Sequence, residues 1–173
     1  MTFTLVDVIL LLIVFAFILL GFVFGLIKTI GSLVGLVVGT WLAGHYFQPL
    51  AQWLTPIIGG NEPMARVVGF LIIFTIINRL VVFIFHLLDR AFGLLSFIPF
   101  AKSINRFSGL LLGLVEGVLT LGVMLYVVSK FLPESSFIQN AINDSQIAHY
   151  LVFIAKWLIW LLPEALSKVD SIF

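Results

Sequence analysis

Glycines spaced four residues apart mark three of the four long apolar stretches of this chain. The three sets are Gly21 and Gly25; Gly31, Gly35 and Gly39; and Gly109, Gly113 and Gly117. At this spacing the glycines of one set lie on one face of a helix. An interior glycine costs a helix in water about 1 kcal/mol relative to alanine, whereas in lipid small residues allow two helix backbones to approach closely. These glycine ladders therefore predict a helix-packed membrane protein.

The composition leaves too few charges for a water-soluble domain of this length. Hydrophobic residues make up 62% of the 173 residues and charged residues only 10%, against about 25% charged residues in an average soluble domain. The net charge of +1 gives no basic excess that would indicate a nucleic-acid partner. The absence of cysteine excludes disulfides and thiol chemistry. We therefore expect the lipid bilayer to be the main partner of the chain.

Four stretches have the length and apolar character of transmembrane helices. They cover about 5–27, 29–47, 64–88 and 104–128. The break at Lys28 leaves room only for a short turn between the first two. The sequence thus predicts an all-α transmembrane domain over 1–132, with its four helices arranged as two antiparallel hairpins.

The remaining segments are too short or too polar to span a bilayer. Residues 91–103 are expected to form an interfacial or re-entrant piece. Residues 133–173 are expected to form a polar linker, a C-terminal amphipathic helix at about 146–162 and a solvated tail. The helix length favours a position in the membrane interface, with a fifth span as the alternative. Its expected apolar face consists of Ile147, Leu151, Ile154, Leu158 and Leu161.

Basic residues near the ends of the spans determine the expected orientation. With the N-terminus outside, the inner face would hold four of them and the outer face two. The inner four are Lys28, Arg90, Lys102 and Arg106, and the outer two are Arg66 and Lys130. Because basic residues favour the cytoplasmic side, we expect both termini to lie outside the inner membrane.

Two charged residues lie inside the predicted spans, where each needs a partner or water. Arg79 falls roughly 4–5 Å past the middle of the third span, and Glu116 roughly 3 Å before the middle of the fourth. Because these spans run antiparallel, the two charges lie at similar depth, and we predict that they pair. The pair is either a structural salt bridge or a proton- or ion-handling site on a polar pathway.

A polar stripe accompanies Arg79 along the third span. Thr75 and His86 share its helix face, and Asn78 lies beside it. Glu116 borders the glycine ladder of the fourth span, so the polar edge of the third span is expected to contact that ladder. The ladders themselves are interpreted as helix-packing faces, and Asp7 as the cap of the first helix.

The chain lacks every sequence motif for catalysis that we considered. It has no phosphate-binding loop, HExxH motif, nucleophile elbow or dinucleotide-binding turn. Its three histidines, His45, His86 and His149, are too far apart to suggest a metal site. We therefore expect no enzyme activity, no metal and no cofactor.

Three stretches resemble the colicin V production protein (CvpA) family. The first runs from Asp7 through Gly21 and Gly25 to the basic hairpin, and the second is LDRAFGLL. The third, INRFSGLLLGLVEGVL, is similar to the family's D-R-x-x-G-x-x-x-G-x-x-x-G opening of the last span. Together they cover about 6–132. Asn105 stands where the family often has Asp, and Glu116 where it often has Arg.

The resemblance implies a multi-pass protein of the bacterial inner membrane. The family is named for a requirement in the production or export of a peptide toxin, and it is also linked to envelope homeostasis. Two functions are then expected. One is a component that supports export or solute movement as a homo-oligomeric channel or transporter, since four short helices enclose little of a pathway alone. The other is a membrane scaffold that binds an unknown partner protein and transports nothing.

Overall fold

Six helices make up the regular structure of the described residues, which in this computed structural model are 4–92, 101–133 and 135–160. Four of the helices are long and apolar enough to cross a membrane, which confirms the predicted all-α, four-span class. The six are α1 (Leu5–Phe24), α2 (Leu26–Leu54), α3 (Glu62–Phe92), α4 (Ala101–Phe131), α5 (Phe137–Asn143) and α6 (Gln146–Trp160).

A single glycine separates α1 from α2. Gly25 has a φ of 77°, in the left-handed region that side chains rarely adopt, so the chain can end one helix and begin the next within one residue. The side chain of Asn105 then caps α2 from a distant part of the chain. Its Oδ1 accepts a hydrogen bond of 2.8 Å from the backbone N–H of Leu26.

The helices α2, α3 and α4 extend beyond the predicted spans, and for α2 and α3 the structure gives a reason. α2 continues through Pro49 to Leu54, because Phe47 and Ala51 are buried and tertiary packing offsets the one hydrogen bond that the proline removes. α3 begins before the predicted start, at Glu62, since Asn61 precedes it as a cap. The Oδ1 of Asn61 accepts a hydrogen bond of 3.1 Å from the N–H of Met64.

The helices pair differently from the two predicted hairpins. The most extensive contacts join α2 to α3 and α1 to α4, whereas α1 barely contacts α2. The glycine ladders explain this pairing. Along α2, Gly31, Gly35 and Gly39 face α3, while Gly109, Gly113 and Gly117 of α4 face α1. The glycine edge of α4 therefore contacts α1 and not, as expected, the polar edge of α3.

The bundle has two ends that differ in structure. The end that holds Asp7, the 55–61 turn and Phe131 is named the Asp7 end, and the end that holds Gly25, His86 and Asn105 is named the Gly25 end. A buried apolar cluster that includes Phe47, Phe70 and Val127 fills the Asp7 half between α2, α3 and α4. The core therefore lies toward one end of the molecule.

The C-terminal helix α6 lies along α4 and runs antiparallel to it. A Cβ placed on Gly122 of α4 would overlap the carbonyl oxygen of Leu151, so the two backbones are in close contact. The buried face of α6 consists of Ala148, Leu151 and Ala155, while Ile154 is exposed. Of the expected apolar face, Leu151 is thus buried in this contact beside the small residues Ala148 and Ala155, while Leu161 lies outside the described residues. The interfacial position of the helix stays a prediction.

Some predicted features fall outside the described residues. These are most of the expected interfacial segment 91–103 and the expected solvated tail after Pro163.

Candidate membrane cleft

A cleft of about 490 Å³ penetrates the bundle from the Gly25 end to about half its depth. Its back wall comes from α2 and α4, and its side walls come from α1 and α3. The polar and charged residues that line it are Lys28, Thr29, Ser32, Thr75, Asn78, Arg79, His86, Glu116 and Thr120. Such a volume is within the range of small-molecule sites in proteins. The cleft is therefore the candidate functional site.

Ser32 connects three of the four spanning helices at the bottom of the cleft. Its backbone carbonyl accepts a hydrogen bond of 3.3 Å from the Nδ2 of Asn78 on α3. Its hydroxyl forms a hydrogen bond with the Glu116 carboxyl on α4. Because Gly35, one turn further along α2, lets α3 approach to contact distance, these short polar side chains can reach across. Ser32 therefore holds the polar residues of the cleft in register.

Arg79 and Glu116 line this same cleft at its deeper part. The charge of Arg79 acts on the Glu116 carboxyl, while the hydrogen bond to that carboxyl comes from Ser32. Glu116 is half-buried and Arg79 is exposed on the open side. The structure thus brings the two charges into one site, and the direct ion pair between them stays a prediction.

The cleft is open sideways, between α1 and α3. In the described part of the chain these two helices make no extensive contact with each other. Leu20 and Phe24 on the α1 wall and Phe83 on the α3 wall are about half exposed. The cleft therefore communicates with the surroundings of the bundle along its side as well as at its mouth.

The cleft is closed toward the Asp7 end. Phe74 and Met124 form its deepest apolar lining, and Phe74 also belongs to the buried cluster behind it, together with Phe70 and Val123. Close-packed apolar side chains leave no room for water or ions. The cleft therefore enters the bundle from the Gly25 end and stops near the middle.

The predicted polar stripe of α3 lies on the cleft wall as a whole. Thr75, Asn78, Arg79 and His86 all line it, and the ladder residues that lie against Asn78 are Gly35 and Gly39 of α2. The glycines serve as contact faces around the cleft. A Cβ on Gly21 would overlap the carbonyl oxygen of Gly109, and one on Gly113 would lie 2.5 Å from that of Phe17.

Sequence reasoning missed the polar cleft residues Lys28, Thr29, Ser32 and Thr120. Lys28 and Ser32 are four residues apart and so share a helix face, which is a signal that the sequence carried. Thr120 is likewise four residues after Glu116. Neither pair could be assigned to the site, because the pairing of α2 with α3 and of α1 with α4 was not known.

Asp7 forms a second polar centre, at the opposite end of the bundle. It is 1% exposed, and its carboxylate accepts hydrogen bonds from the Thr4 backbone N–H (2.9 Å), the Thr4 hydroxyl (2.9 Å), the Ser145 hydroxyl (2.5 Å) and the Ile147 N–H (3.0 Å). Thr4 and Ser145 each also cap a helix. One carboxylate therefore stabilises the N-termini of both α1 and α6.

Acidic and histidine side chains are dispersed in the described ranges. No group of three or more that could hold a metal ion occurs there. The chemistry available in the cleft is thus electrostatic and hydrogen-bonding: two cations, one carboxylate, an imidazole, an amide and several hydroxyls.

Comparisons with known proteins agree with the resemblance noted in the sequence. The sequence model described as Colicin V production protein matches residues 6–156. This match ends within α6 and includes every residue that lines the cleft. No curated protein and no solved structure matches the chain significantly. Since the match covers most of the 173 residues, the chain belongs to the colicin V production protein family.

Proposed function

We propose that the cleft is the solute-handling vestibule of an inner-membrane component that supports toxin or solute export or envelope homeostasis. The observation that carries this proposal is the half-buried Glu116 at the inner end of a polar cleft, beside Ser32 and Arg79. Ionisable groups at membrane depth are costly, and they commonly mark ion, proton or substrate routes. A purely structural pair would not need a cleft of about 490 Å³ around it.

The same cleft supports a homo-oligomeric assembly. Arg79 and Thr75 are exposed on the open side of the bundle near mid-depth. An arginine at the centre of a membrane helix costs about 2.5–3.5 kcal/mol on insertion scales. A second copy of the chain that covers the opening at this level would remove that cost and complete the missing wall.

Basic residues support the proposed orientation in the membrane. The basic residues in the terminal turns of the helices at the Gly25 end are Lys28 of α2, Arg90 of α3, and Lys102 and Arg106 of α4. By the positive-inside rule this end faces the cytoplasm. The mouth of the cleft then opens to the cytoplasm, and the apolar cluster closes the outer half.

Reconstituted vesicles test the proposed function. The purified protein is incorporated into liposomes, and proton and potassium fluxes are measured with a pH-sensitive dye and a potassium electrode. Glu116→Gln is expected to reduce the flux to the level of protein-free vesicles. The matched control, Glu62→Gln, makes the same change at an exposed ion pair with Arg66, outside the cleft, and is expected to leave the flux unchanged.

Two outcomes would separate the proposal from a structural role of the pair. If Glu116→Gln and Arg79→Gln both fold and conduct as the wild type does, the cleft is not the pathway. If the double exchange Arg79→Glu with Glu116→Arg restores folding but not flux, the pair does more than hold two helices together. The oligomeric mass in detergent is measured on the same samples.

An aromatic surface favours a second candidate, the membrane scaffold. Phe137, Tyr150 and Phe153, on α5 and α6, are 87%, 71% and 60% exposed. Exposed aromatic side chains are typical of protein–protein contacts and of membrane interfaces. Vesicles that show no flux, together with a protein that co-purifies and is lost on substitution of these aromatics, would favour the scaffold.

A further inference from the structure

The mouth of the cleft combines a cation with apolar walls. Lys28 of α2 and His86 of α3 line the cleft near the Gly25 end. The Lys28 ammonium lies 5.5 Å from the centre of the Phe24 ring. Phe83, one turn before His86, is 59% exposed. The mouth therefore presents hydrogen-bond donors and positive charge next to an aromatic surface that faces sideways.

The charge of the whole cleft favours an anion. Lys28 and Arg79 outnumber the single carboxylate, Glu116, among the lining residues. Glu116 lies deep, where Ser32 and Arg79 already act on it. Arg79 and His86 are seven residues apart on one helix, which is about 10.5 Å along the axis. The mouth is thus separate from the Arg79–Glu116 level, and Glu116, at that deeper level, is the one acid among the described residues that line the cleft.

We infer that the mouth of the cleft binds the headgroup of an anionic phospholipid, with Lys28 and His86 on the phosphate and the acyl chains along Phe24 and Phe83. The lateral opening between α1 and α3 admits a lipid directly from the bilayer. Basic pockets between membrane helices on the cytoplasmic side are known sites for anionic headgroups. A soluble anion would gain nothing from the aromatic walls, whereas an acyl chain is stabilised by them.

The inference rests on the proposed function in treating the cleft as a binding vestibule and in placing its mouth on the cytoplasmic side. It concerns Lys28 and His86 at the mouth, while the flux concerns Glu116 at the inner end. The two proposals can therefore fail separately. If the protein selects anionic lipid but shows no flux, only the lipid inference holds. If it shows flux without lipid selectivity, only the proposed function holds.

Spin-labelled lipids provide the test. The full chain is reconstituted in phosphatidylcholine vesicles, and the immobilised fraction of spin-labelled phosphatidylglycerol is compared with that of phosphatidylcholine of the same acyl chain. The wild type is expected to immobilise phosphatidylglycerol selectively. Lys28→Gln is expected to lower that selectivity about fivefold, as removal of one basic side chain near the membrane surface does, and addition of His86→Gln is expected to lower it further.

A matched control removes the same charge at the other end of the bundle. Lys130→Gln, near Tyr126 on α4, is expected to preserve the selectivity, and thermal unfolding in detergent shows that each variant is folded. Equal selectivity in the wild type and in folded Lys28→Gln protein would overturn the inference. Displacement of the spin-labelled lipid by excess glycerol phosphate would also overturn it, because the site would then recognise a free anion.

Discussion

Asp7 shows how a single side chain can determine the position of two helices. Its position at the start of the first apolar stretch predicts that Asp7 caps α1. The sequence does not predict its hydrogen bonds with Ser145 and Ile147, because these partners lie about 140 residues further along the chain. A buried carboxylate with several donors is stable only while those donors stay in place. The residue therefore couples the docking of α6 to the start of α1.

Removal of the Asp7 carboxylate is predicted to destabilise the bundle at its closed end. Asp7→Ala leaves the Thr4 and Ser145 hydroxyls and the Ile147 N–H without their acceptor, and we expect the free energy of unfolding to fall by about 1–3 kcal/mol. The measurement is denaturant titration in mixed micelles. The control is Glu62→Ala, which breaks an exposed ion pair. It should change the free energy of unfolding by less than about 1 kcal/mol. Equal stability of the two variants would contradict the assigned role of Asp7.

The roles of Asn105 and Ser32 could not be predicted from the sequence. Both are short polar residues in apolar surroundings, and both act on a helix that is distant in sequence. Arg79 and Glu116 could be singled out, since any charge within an apolar span needs an explanation. A serine or an asparagine does not stand out in the same way. Their roles depend on which helices are neighbours, and the sequence does not contain that information locally.

At the scale of helices, Gly21 in the α1–α4 contact and Gly39 in the α2–α3 contact differ in how well they would tolerate an added methyl group. A Cβ on Gly21 would overlap a backbone carbonyl oxygen of α4, which cannot move without moving the helix. A Cβ on Gly39 would lie 3.2 Å from the Phe74 carbonyl oxygen and 3.3 Å from its ring. This contact is relieved by a shift of a few tenths of an ångström. The α1–α4 contact is therefore the stricter of the two.

A matched pair of glycine substitutions tests this difference. Gly21→Ala is predicted to lower the free energy of unfolding by about 1–3 kcal/mol, because the added methyl group forces α1 and α4 apart. Gly39→Ala should be close to neutral, since the higher helix propensity of alanine, about 1 kcal/mol, offsets the mild contact. Stability is measured by unfolding in micelles. A third variant, Ala16→Leu, adds bulk on an exposed face of α1 and should have little effect.

The opposite ranking would contradict the assignment of the ladders. If Gly39→Ala were the more destabilising variant, the α2–α3 contact would be the stricter one. If Ala16→Leu were as harmful as Gly21→Ala, the exposed face of α1 would be an interface as well.

At the scale of the molecule, the cleft opens at one end of the bundle and is closed at the other, so the orientation of the chain in the membrane decides to which side the cleft opens. The absence of cysteine makes this orientation measurable with single cysteines. Asn61→Cys in the turn at the Asp7 end is predicted to react with a membrane-impermeant thiol reagent in cells with a permeabilised outer envelope. Arg106→Cys at the Gly25 end is predicted to react only after the inner membrane is opened. Both positions are exposed. The reverse pattern would show that the cleft opens outward.

The sequence was sufficient for the number of spans but not for their arrangement. Length and hydropathy locate α1 to α4, because the bilayer imposes both on any spanning helix. Helix pairing depends on which glycine-lined faces pack against each other, and each glycine ladder presents a similar face to its neighbours. The sequential hairpins were the simplest choice, and the packing of Gly21 against Gly109 shows that a non-sequential pairing is used. The structure brings Arg79 and Glu116 into one cleft, and their depth in the bilayer stays a prediction that depends only on their positions within the spans.

The pairing of α1 with α4 has a consequence for the order of events during synthesis. α2 and α3 follow each other and can associate as soon as both have left the ribosome. α1 is made first, yet its main partner, α4, is the last of the four spans. Until α4 is inserted, α1 has to be stable in lipid without its main partner. Its mean hydropathy of 3.1, against 1.7 for α2, favours such stability. The most apolar of the four spans is thus the one that is longest without its main partner helix.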